Sequence, residues 1–241
     1  MQFIMKISPK LERGILLKRY KRFLADIKTS SGEVITVHCP NTGSMRHCLV
    51  PNSPCWYSLS DNPKRKYPNT LELVTAEGNY RAGINTGRAN HLVKEAIING
   101  TIKELAHYQL IKPEAVCGID NSRIDFLLSE SDADSRECFV EVKNVTLMEA
   151  PGEGYFPDSV SDRGAKHLRA LSELVNQGKR AVLLFCVQHA GIETVSPADH
   201  IDPLYGELLR KAAADGVEIL AYQARLTVSN IALNRPLPVV Y

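Results

Sequence analysis

The chain lacks the features that mark membrane, secreted and disordered proteins. None of its 241 residues falls in an apolar run long enough to span a bilayer, and the first residues lack the apolar core of a secretory signal. Internal repeats and low-complexity tracts are also missing, and 44% hydrophobic with 23% charged residues is ordinary for a globular chain. We therefore expect one large or two modest folded domains, with no membrane partner.

Cysteine motifs for metal or redox chemistry are missing too. The six cysteines show no CxxC spacing, so neither a zinc site nor a redox pair is indicated. We expect a reducing, cytoplasmic location. His38 and Cys39 are adjacent and suggest a thiol nucleophile, but no third member of a triad is evident. A tight turn in HCPNTGSM that contacts a phosphate or base is favoured over a nucleophile, and a purely structural turn is favoured over both.

A large net charge is lacking, but the small total of +2 hides an asymmetry. Residues 1–82 carry thirteen Lys and Arg against six Asp and Glu, whereas residues 83–241 carry sixteen against twenty-one. A basic first part and a mildly acidic second part are typical of a polyanion-binding module joined to a metal-binding one. The alternative is that small domains often carry a few surplus charges.

Short alternating segments fill the first part of the chain. ILLKRYKRFLADIKT and EVITVHC alternate apolar and polar residues, and the intervening Ser31-Gly32 is a hairpin signal. The strand-like CWYSLS and LELVTAE follow, separated by the loop DNPKRKYPNT. This spacing predicts a small β-barrel or sandwich over residues 1–84.

The pattern changes after Gly83. We predict a helix through ANHLVKEAII, strands at 123–128 and 138–145, a Gly/Pro-rich loop at APGEGYFPDSVS, and a helix from about Asp162 to Asn176. The apolar run AVLLFCVQ, a helix near 203–214 and the strand-like VEILAYQARLT follow. The order predicts a mixed α/β domain over residues 85–241.

Four side chains on consecutive predicted elements form a candidate catalytic site. Glu95 borders the apolar stripe of the first helix, Asp125 lies in RIDFLL, and Glu141 and Lys143 share one face of FVEVKNV. Because Mg²⁺ prefers carboxylate oxygens, Asp125 and Glu141 are predicted metal ligands, and Glu95 completes the shell or orients a water. Lys143 would stabilise charge on a phosphodiester. The alternative is a buried ion pair of Lys143 with Glu141 or Asp125, which adds little stability.

Cations also gather at the start of the helix that follows Asp162. Lys166 is a further candidate catalytic residue that contacts the scissile phosphate, Arg163 is a candidate nucleic-acid ligand, and His167 could carry protons. A solvated helix face is an equally good explanation.

Two clusters in the first part mix cations with tyrosines. On a small barrel, cations follow a phosphate backbone and aromatic rings stack on bases. The alternative is that these are ordinary exposed edges and loops, where lysine also deters aggregation. The predicted nucleic-acid-binding residues are Lys18, Arg19, Tyr20, Lys21, Arg22, Lys64, Arg65 and Lys66.

Several of these stretches together resemble the sugar fermentation stimulation protein A family. They are HCPNTGSM, DNPKRKYPNT, SRIDFLL, FVEVKNVTL and GYFPDSVSDRGAKHL, and the resemblance spans nearly the whole chain. It implies an N-terminal OB-like β-barrel and a C-terminal mixed α/β domain resembling PD-(D/E)xK nucleases. Asp125, Glu141 and Lys143 would form the nuclease-like core, with Glu95 as the helix carboxylate. It also implies non-specific DNA binding and a possible role in regulating maltose metabolism.

The resemblance further implies a helix-turn-helix over residues 208–228. The residues themselves favour a helix, a stop at Gly216 and a strand, because VEILAYQARLTV is rich in strand-forming residues.

The sequence thus predicts a DNA-binding protein that contacts mostly phosphates, with RNA as a possible partner and Mg²⁺ or Mn²⁺ as the metal. No cofactor-binding residues are predicted. The alternatives are a Mg²⁺-dependent endo- or exonuclease acting on DNA or RNA, and a transcription factor for sugar genes.

Overall fold

The N-terminal part of the chain closes into a five-stranded barrel. The structure is a computed structural model that describes residues 10–119 and 123–241. The barrel strands run in the order β3-β2-β1-β4-β5, and β3 closes on β5 where His38 pairs with Thr70. The predicted hairpin at Ser31-Gly32 joins β2 to β3, and Gly32 has the positive φ of +89° that this turn needs. The strands are β1 (Glu12–Tyr20), β2 (Leu24–Thr29), β3 (Val34–His38), β4 (Pro54–Leu59), β5 (Asn69–Thr75) and a short extension, β6 (Arg81–Gly83).

The C-terminal part is built on a six-stranded mixed sheet. Its order is β15 (Ile231–Pro236), β14 (Glu218–Leu226), β12 (Arg180–Val187), β9 (Cys138–Val145), β8 (Arg123–Ser129) and β7 (Leu110–Val116). The three central strands are parallel, and the outer ones are added antiparallel. A smaller sheet is formed by β10 (Leu147–Ala150), β11 (Gly152–Phe156) and β13 (Ile192–Pro197). The segment APGEGYFPDSVS, predicted as a loop, therefore contains a strand, because β11 pairs in parallel with the distant β13.

Helices cover both faces of the large sheet, so each face has its own apolar core. Helix α1 (Arg88–Ile98) buries the predicted stripe, which includes Leu92, Val93 and Ile97, on one face. Helices α2 (Asp162–Asn176) and α3 (Pro203–Asp215) cover the other face. Ser161 caps α2, since its hydroxyl accepts a hydrogen bond from the Gly164 amide.

Residues 208–228 do not form a helix-turn-helix. Helix α3 ends at Asp215, and Gly216 follows in the left-handed conformation with φ of 102°. The chain then enters β14, which lies inside the sheet and pairs with β12 on one side and the edge strand β15 on the other. A recognition helix has no place here, because the second half of the segment is a strand.

A buried acid joins the barrel to the start of α1. Glu72 on β5 is 3% exposed and accepts hydrogen bonds from Ser58 Oγ at 2.8 Å, Asn85 Nδ2 at 3.0 Å and Arg88 Nε at 2.7 Å. Arg88 is the first residue of α1, so this network fixes where the helix starts relative to the barrel. Within the described residues, no helix is long and apolar enough to cross a membrane.

Candidate functional site

A cavity of about 420 Å³ lies where the barrel loop 41–43 meets the sheet, and we refer to it as the acidic cavity. Its walls come from the barrel, from the first turn of α1, from β8 and β9, from the segment around β11, and from the start of α2. The polar and charged side chains that line it are Asn41, Thr42, Thr86, Asn90, Asp125, Glu141, Lys143, Asn144, Thr146, Tyr155, Asp158 and Arg163.

Asp125 lies where two neighbouring strands separate. β8 pairs with β9 from Phe126 to Leu128, and Asp125 is the first residue beyond this ladder. Its Oδ2 accepts a hydrogen bond from the Val142 amide at 2.8 Å, and its Oδ1 accepts one from Asn90 Nδ2 at 2.8 Å. Burial, followed by the nearby charge of Glu141, raises the pKa of Asp125 above its ordinary value. The site therefore contains a carboxylate whose negative charge would be relieved by a cation.

Glu141 is more buried than Asp125, and only one of its two carboxylate oxygens has hydrogen-bond partners among the described residues. The residue is 3% exposed, and its Oε1 accepts from Lys143 Nζ at 2.6 Å and contacts His167 Nδ1. Its Oε2 is buried and has no hydrogen-bond partner among the described residues. Burial acts to raise the pKa of Glu141, but the contacts with His167 and Lys143 outweigh it and the pKa lies below its ordinary value. Glu141 is thus an ionised acid with a buried oxygen that lacks a partner.

Lys143 and His167 complete this group of buried polar side chains. Lys143 Nζ lies 3.2 Å from His167 Nδ1, and the two side chains are 11% and 6% exposed. The ion pair offered above as the alternative to a metal site is therefore present. Since it uses only Oε1 of Glu141, Oε2 stays available for a ligand.

The loop of residues 41–43 forms the barrel side of the acidic cavity. Arg19 donates to the carbonyl oxygens of Asn41 at 3.0 Å and Gly43 at 2.9 Å, and Arg22 donates to that of Thr42 at 2.7 Å. A Cβ at Gly43 would overlap the Asp158 carboxylate, so only glycine allows this close approach.

Asp158 fastens the other end of this loop. Its Oδ2 accepts hydrogen bonds from Ser44 Oγ and from the Met45 amide, both at 3.2 Å.

Burial raises the pKa of the nearby Cys39 thiol, which keeps it protonated and argues against a nucleophile in this loop. Residues 41–43 of HCPNTGSM thus form one wall of the cavity. Contact of this turn with a phosphate or base stays a prediction.

The structure brings together some of the predicted site residues and not others. Asp125, Glu141, Lys143 and Arg163 line the acidic cavity. Glu95 lies two turns into α1 and is not among the lining residues, and the α1 side chain that reaches Asp125 is Asn90 instead. Lys166 is exposed on α2 and also lies outside the lining. The roles of Glu95 and Lys166 stay predictions.

The predicted nucleic-acid-binding residues also differ in their surroundings. Arg19 and Arg22 hold the cavity loop, as described. Lys18 and Tyr20 both contact Asp26, at 3.5 Å and 3.0 Å. Arg65 donates to Thr70 Oγ1 at 3.1 Å. The remaining three are exposed: Lys21, Lys64 and Lys66.

Sequence reasoning missed two elements of the cavity. Asn90 has no sequence signal, because a single amide near a helix start belongs to no recognisable pattern. Asp158 lies inside GYFPDSVSDRGAKHL, but its partners, Ser44 and Met45, are more than 110 residues away in the chain. Only the folded structure relates them.

The donor set fits a cation that is only partly held by protein. Among residues 10–119 and 123–241, no group of three or more His, Cys, Asp or Glu side chains is placed to hold a metal ion. Mg²⁺ commonly uses one or two carboxylates and takes its other oxygens from water and substrate phosphates. Asp125 and Glu141 match that smaller requirement, and the partnerless Oε2 of Glu141 supplies a buried oxygen for it.

Comparisons with known proteins agree with this architecture. Residues 17–84 match the family described as the SfsA N-terminal OB domain, and residues 87–230 match the sugar fermentation stimulation protein RE domain. The predicted OB barrel followed by a mixed α/β domain is thereby confirmed.

Individual relatives match over nearly their whole length. A sugar fermentation stimulation protein homolog of Teredinibacter turnerae is 59% identical and covers 98% of this chain and 100% of its own. A homolog of Shewanella woodyi is 52% identical, with 98% and 99% covered. The solved structure of Pyrococcus furiosus SfsA in complex with Ca²⁺ is 27% identical, covers 100% of both chains and has a TM-score of 0.87. The chain therefore belongs to the sugar fermentation stimulation protein family.

Proposed function

We propose that this chain binds nucleic acid through its phosphates and places one of them beside a divalent cation held by Asp125 and Glu141. The observation that carries the proposal is Glu141 Oε2, a buried carboxylate oxygen that has no partner in the part of the chain that the structure describes. It belongs to a residue that lines a cavity together with a second carboxylate, Asp125. A buried ionised oxygen that lacks a partner is costly, and a cation between the two acids would remove that cost. The Pyrococcus furiosus relative, solved in complex with Ca²⁺, supports cation binding by this fold.

The charges around the acidic cavity suit an anionic ligand once a cation is present. Lys143 lines the cavity beside the two acids, and Arg163 lines it from the exposed start of α2. A phosphate can use both side chains and also fill the coordination positions that the protein leaves open. On the barrel, Arg19 and Arg22 hold the loop 41–43 that walls the cavity, and Lys21 between them in the chain is exposed.

Fluorescence anisotropy with a labelled oligonucleotide tests this proposal. We expect binding in Ca²⁺, weaker binding in EDTA, and a steep loss of affinity between about 50 and 200 mM salt, because phosphate contacts release counterions. Affinity that changes with neither the cation nor salt would contradict the proposal.

A second candidate function is cleavage of the bound phosphodiester. Lys143 favours it, since its ammonium is held 2.6 Å from Glu141 Oε1 and is placed to offset negative charge that develops on a phosphate. A divalent cation at this site would supply phosphate polarisation and a more acidic water. His167 contacts both Lys143 and Glu141 and so positions their side chains relative to each other.

A cleavage screen with Mg²⁺ and Mn²⁺ decides between binding and hydrolysis. If single-stranded, duplex and structured substrates include one that is cut, Lys143→Met should lower the rate by roughly 100-fold or more while the cation still binds. Intact substrates throughout the screen would leave binding alone as the function.

The pKa of Asp125 predicts how cation affinity depends on pH. Because the folded-state pKa lies above 3.8, a proton competes with the cation at pH values where an ordinary aspartate is already ionised. We expect affinity to rise with pH through this raised pKa and then level off, with protons released on binding below the plateau.

By the same linkage, the cation-free fold loses stability as pH rises from 3.8 towards the raised pKa, since the unfolded chain releases its proton first. Calorimetry in buffers of different ionisation enthalpy measures the released protons, and cation uptake independent of pH would contradict this assignment.

A further inference from the structure

A second cavity, of about 340 Å³, lies on the barrel directly beside the acidic cavity, and we refer to it as the barrel cavity. Its polar lining includes His38, Ser58, Ser60, Arg65, Thr70 and Asn85. None of these residues lines the acidic cavity. A cavity of this size suits a group as large as one nucleotide, because ligand pockets begin at roughly 300 Å³.

The two cavities share an edge. Pro40 lines the barrel cavity and the next residue, Asn41, lines the acidic one, and Asn85 and Thr86 are divided in the same way. Thr86 Oγ1 donates to the Pro40 carbonyl at 3.4 Å, so this contact between a loop and the approach to α1 lies on the dividing edge. A chain that leaves the acidic cavity across this edge enters the barrel cavity.

Arg65 supplies the positive charge of the barrel cavity. It donates to Thr70 Oγ1 at 3.1 Å and forms no ion pair within residues 10–119 and 123–241. The one carboxylate in the lining, Glu72, is already engaged by Arg88 and by two neutral donors. Lys64 and Lys66 flank Arg65 on an exposed loop. The cavity therefore offers hydroxyls, an amide and one uncompensated guanidinium, which suits a sugar-phosphate unit with its base.

We propose that the barrel cavity holds the nucleotide next to the one whose phosphate lies at Asp125 and Glu141, and that the preferred ligand is therefore single-stranded. The inference rests on the proposed function. A base within a duplex is paired and stacked and cannot enter a concave site, whereas an unstacked base of a single strand can. Burial and then the charge of Arg65 lower the pKa of His38, which favours the neutral ring, so Arg65 is the cation that the ligand meets.

Paired measurements with single strands and duplexes test the inference. Anisotropy is recorded in Ca²⁺ with a labelled oligonucleotide of about 12 residues, alone or annealed to its complement. We expect the wild type to bind the single strand roughly tenfold more tightly than the duplex. Ser60→Trp, which fills the barrel cavity without changing charge, should remove most of that preference.

Arg65→Ala gives a second readout that does not depend on filling the cavity. The slope of log affinity against log salt for the single strand should fall by about 0.7, the value of one phosphate contact. Lys28→Ala is the matched control, since Lys28 is exposed on the same barrel and lines neither cavity. It should leave both the slope and the strand preference unchanged.

The outcomes separate this inference from the proposed function. If the wild type binds single strand and duplex equally, or if Arg65→Ala and a folded Ser60→Trp behave like Lys28→Ala, the barrel cavity is not a nucleotide site. Cation-dependent binding that survives that result leaves the proposed function intact. If the wild type binds neither form in Ca²⁺, the proposed function fails and this inference fails with it.

Discussion

Asp125→Asn is expected to lower the affinity for Mg²⁺ or Ca²⁺ by roughly 100-fold or more. The change keeps the shape of the side chain and removes the charge that a cation needs. It also places an amide beside the Val142 N–H, which donates to Asp125 Oδ2 at 2.8 Å. Isothermal titration calorimetry measures the loss directly. The same substitution should abolish the cation-dependent part of oligonucleotide binding.

The matched control for this substitution is Asp132→Asn. Asp132 is an exposed acid outside the acidic cavity, so the identical chemical change there should leave cation uptake unaltered. Equal cation affinity in wild type and Asp125→Asn would remove Asp125 as a ligand. Equal losses in both variants would show that the ion is attracted by overall charge and not held at a site.

Glu72→Ala is expected to lower the free energy of unfolding by ~3–5 kcal/mol. The reason is that one buried carboxylate accepts from three donors, Ser58, Asn85 and Arg88, and links the barrel to the start of α1. Denaturant unfolding followed by circular dichroism gives the value. Because Asn90 on α1 orients Asp125, the folded fraction of this variant should also bind the cation less tightly.

A second acid on the barrel provides the comparison for Glu72. Glu77 forms an ion pair with His47 at 2.9 Å, but its side chain is 61% exposed, so solvent screens the pair. Glu77→Ala should therefore change stability little. If the two variants lose similar stability, the Glu72 network does not join the two parts of the chain as described.

Alternation along a strand predicted correctly which side chains share one face. Glu141 and Lys143 were placed on one face of a strand from spacing alone, and the structure brings their side chains to 2.6 Å. The bounds of α2 were also predicted at Asp162 and Asn176, because its apolar stripe and its polar start are both strong local signals.

The sequence does not show which turn of α1 lies next to the candidate site. The periodicity of α1 shows which face is buried, and Glu95 borders that face. It does not show which turn approaches β8, and that depends on where Arg88 meets Glu72 on the barrel. As a result, Asn90 in the first turn contacts Asp125, while Glu95 lies farther along the helix.

Long-range pairing explains the strands that were missed. β7 contains Pro113 and lies at the edge of its sheet, where proline is tolerated but a strand pattern is weak. β11 is glycine-rich, and Gly154 packs so closely on Ile192 of β13 that a side chain would not fit. No local pattern distinguishes such a segment from a loop.

The sequence likewise does not show which cations of a basic cluster contact other parts of the protein. Arg19 and Arg22 belong to one run of cations, but both donate to carbonyl oxygens of the loop 41–43. Their neighbours Lys18 and Lys21 are exposed. Composition identified the cluster, whereas only the structure divides it into residues that shape the cavity and residues that face solvent.

The central claim is that a nucleic-acid phosphate and a divalent cation meet at Asp125 and Glu141. Electron–nuclear double resonance on Mn²⁺-loaded protein detects a phosphorus nucleus bonded through oxygen to the ion. We predict a ³¹P coupling when an oligonucleotide is added to the wild type and none with Asp125→Asn. Bound Mn²⁺ that shows no phosphorus coupling in the presence of bound oligonucleotide would contradict the account.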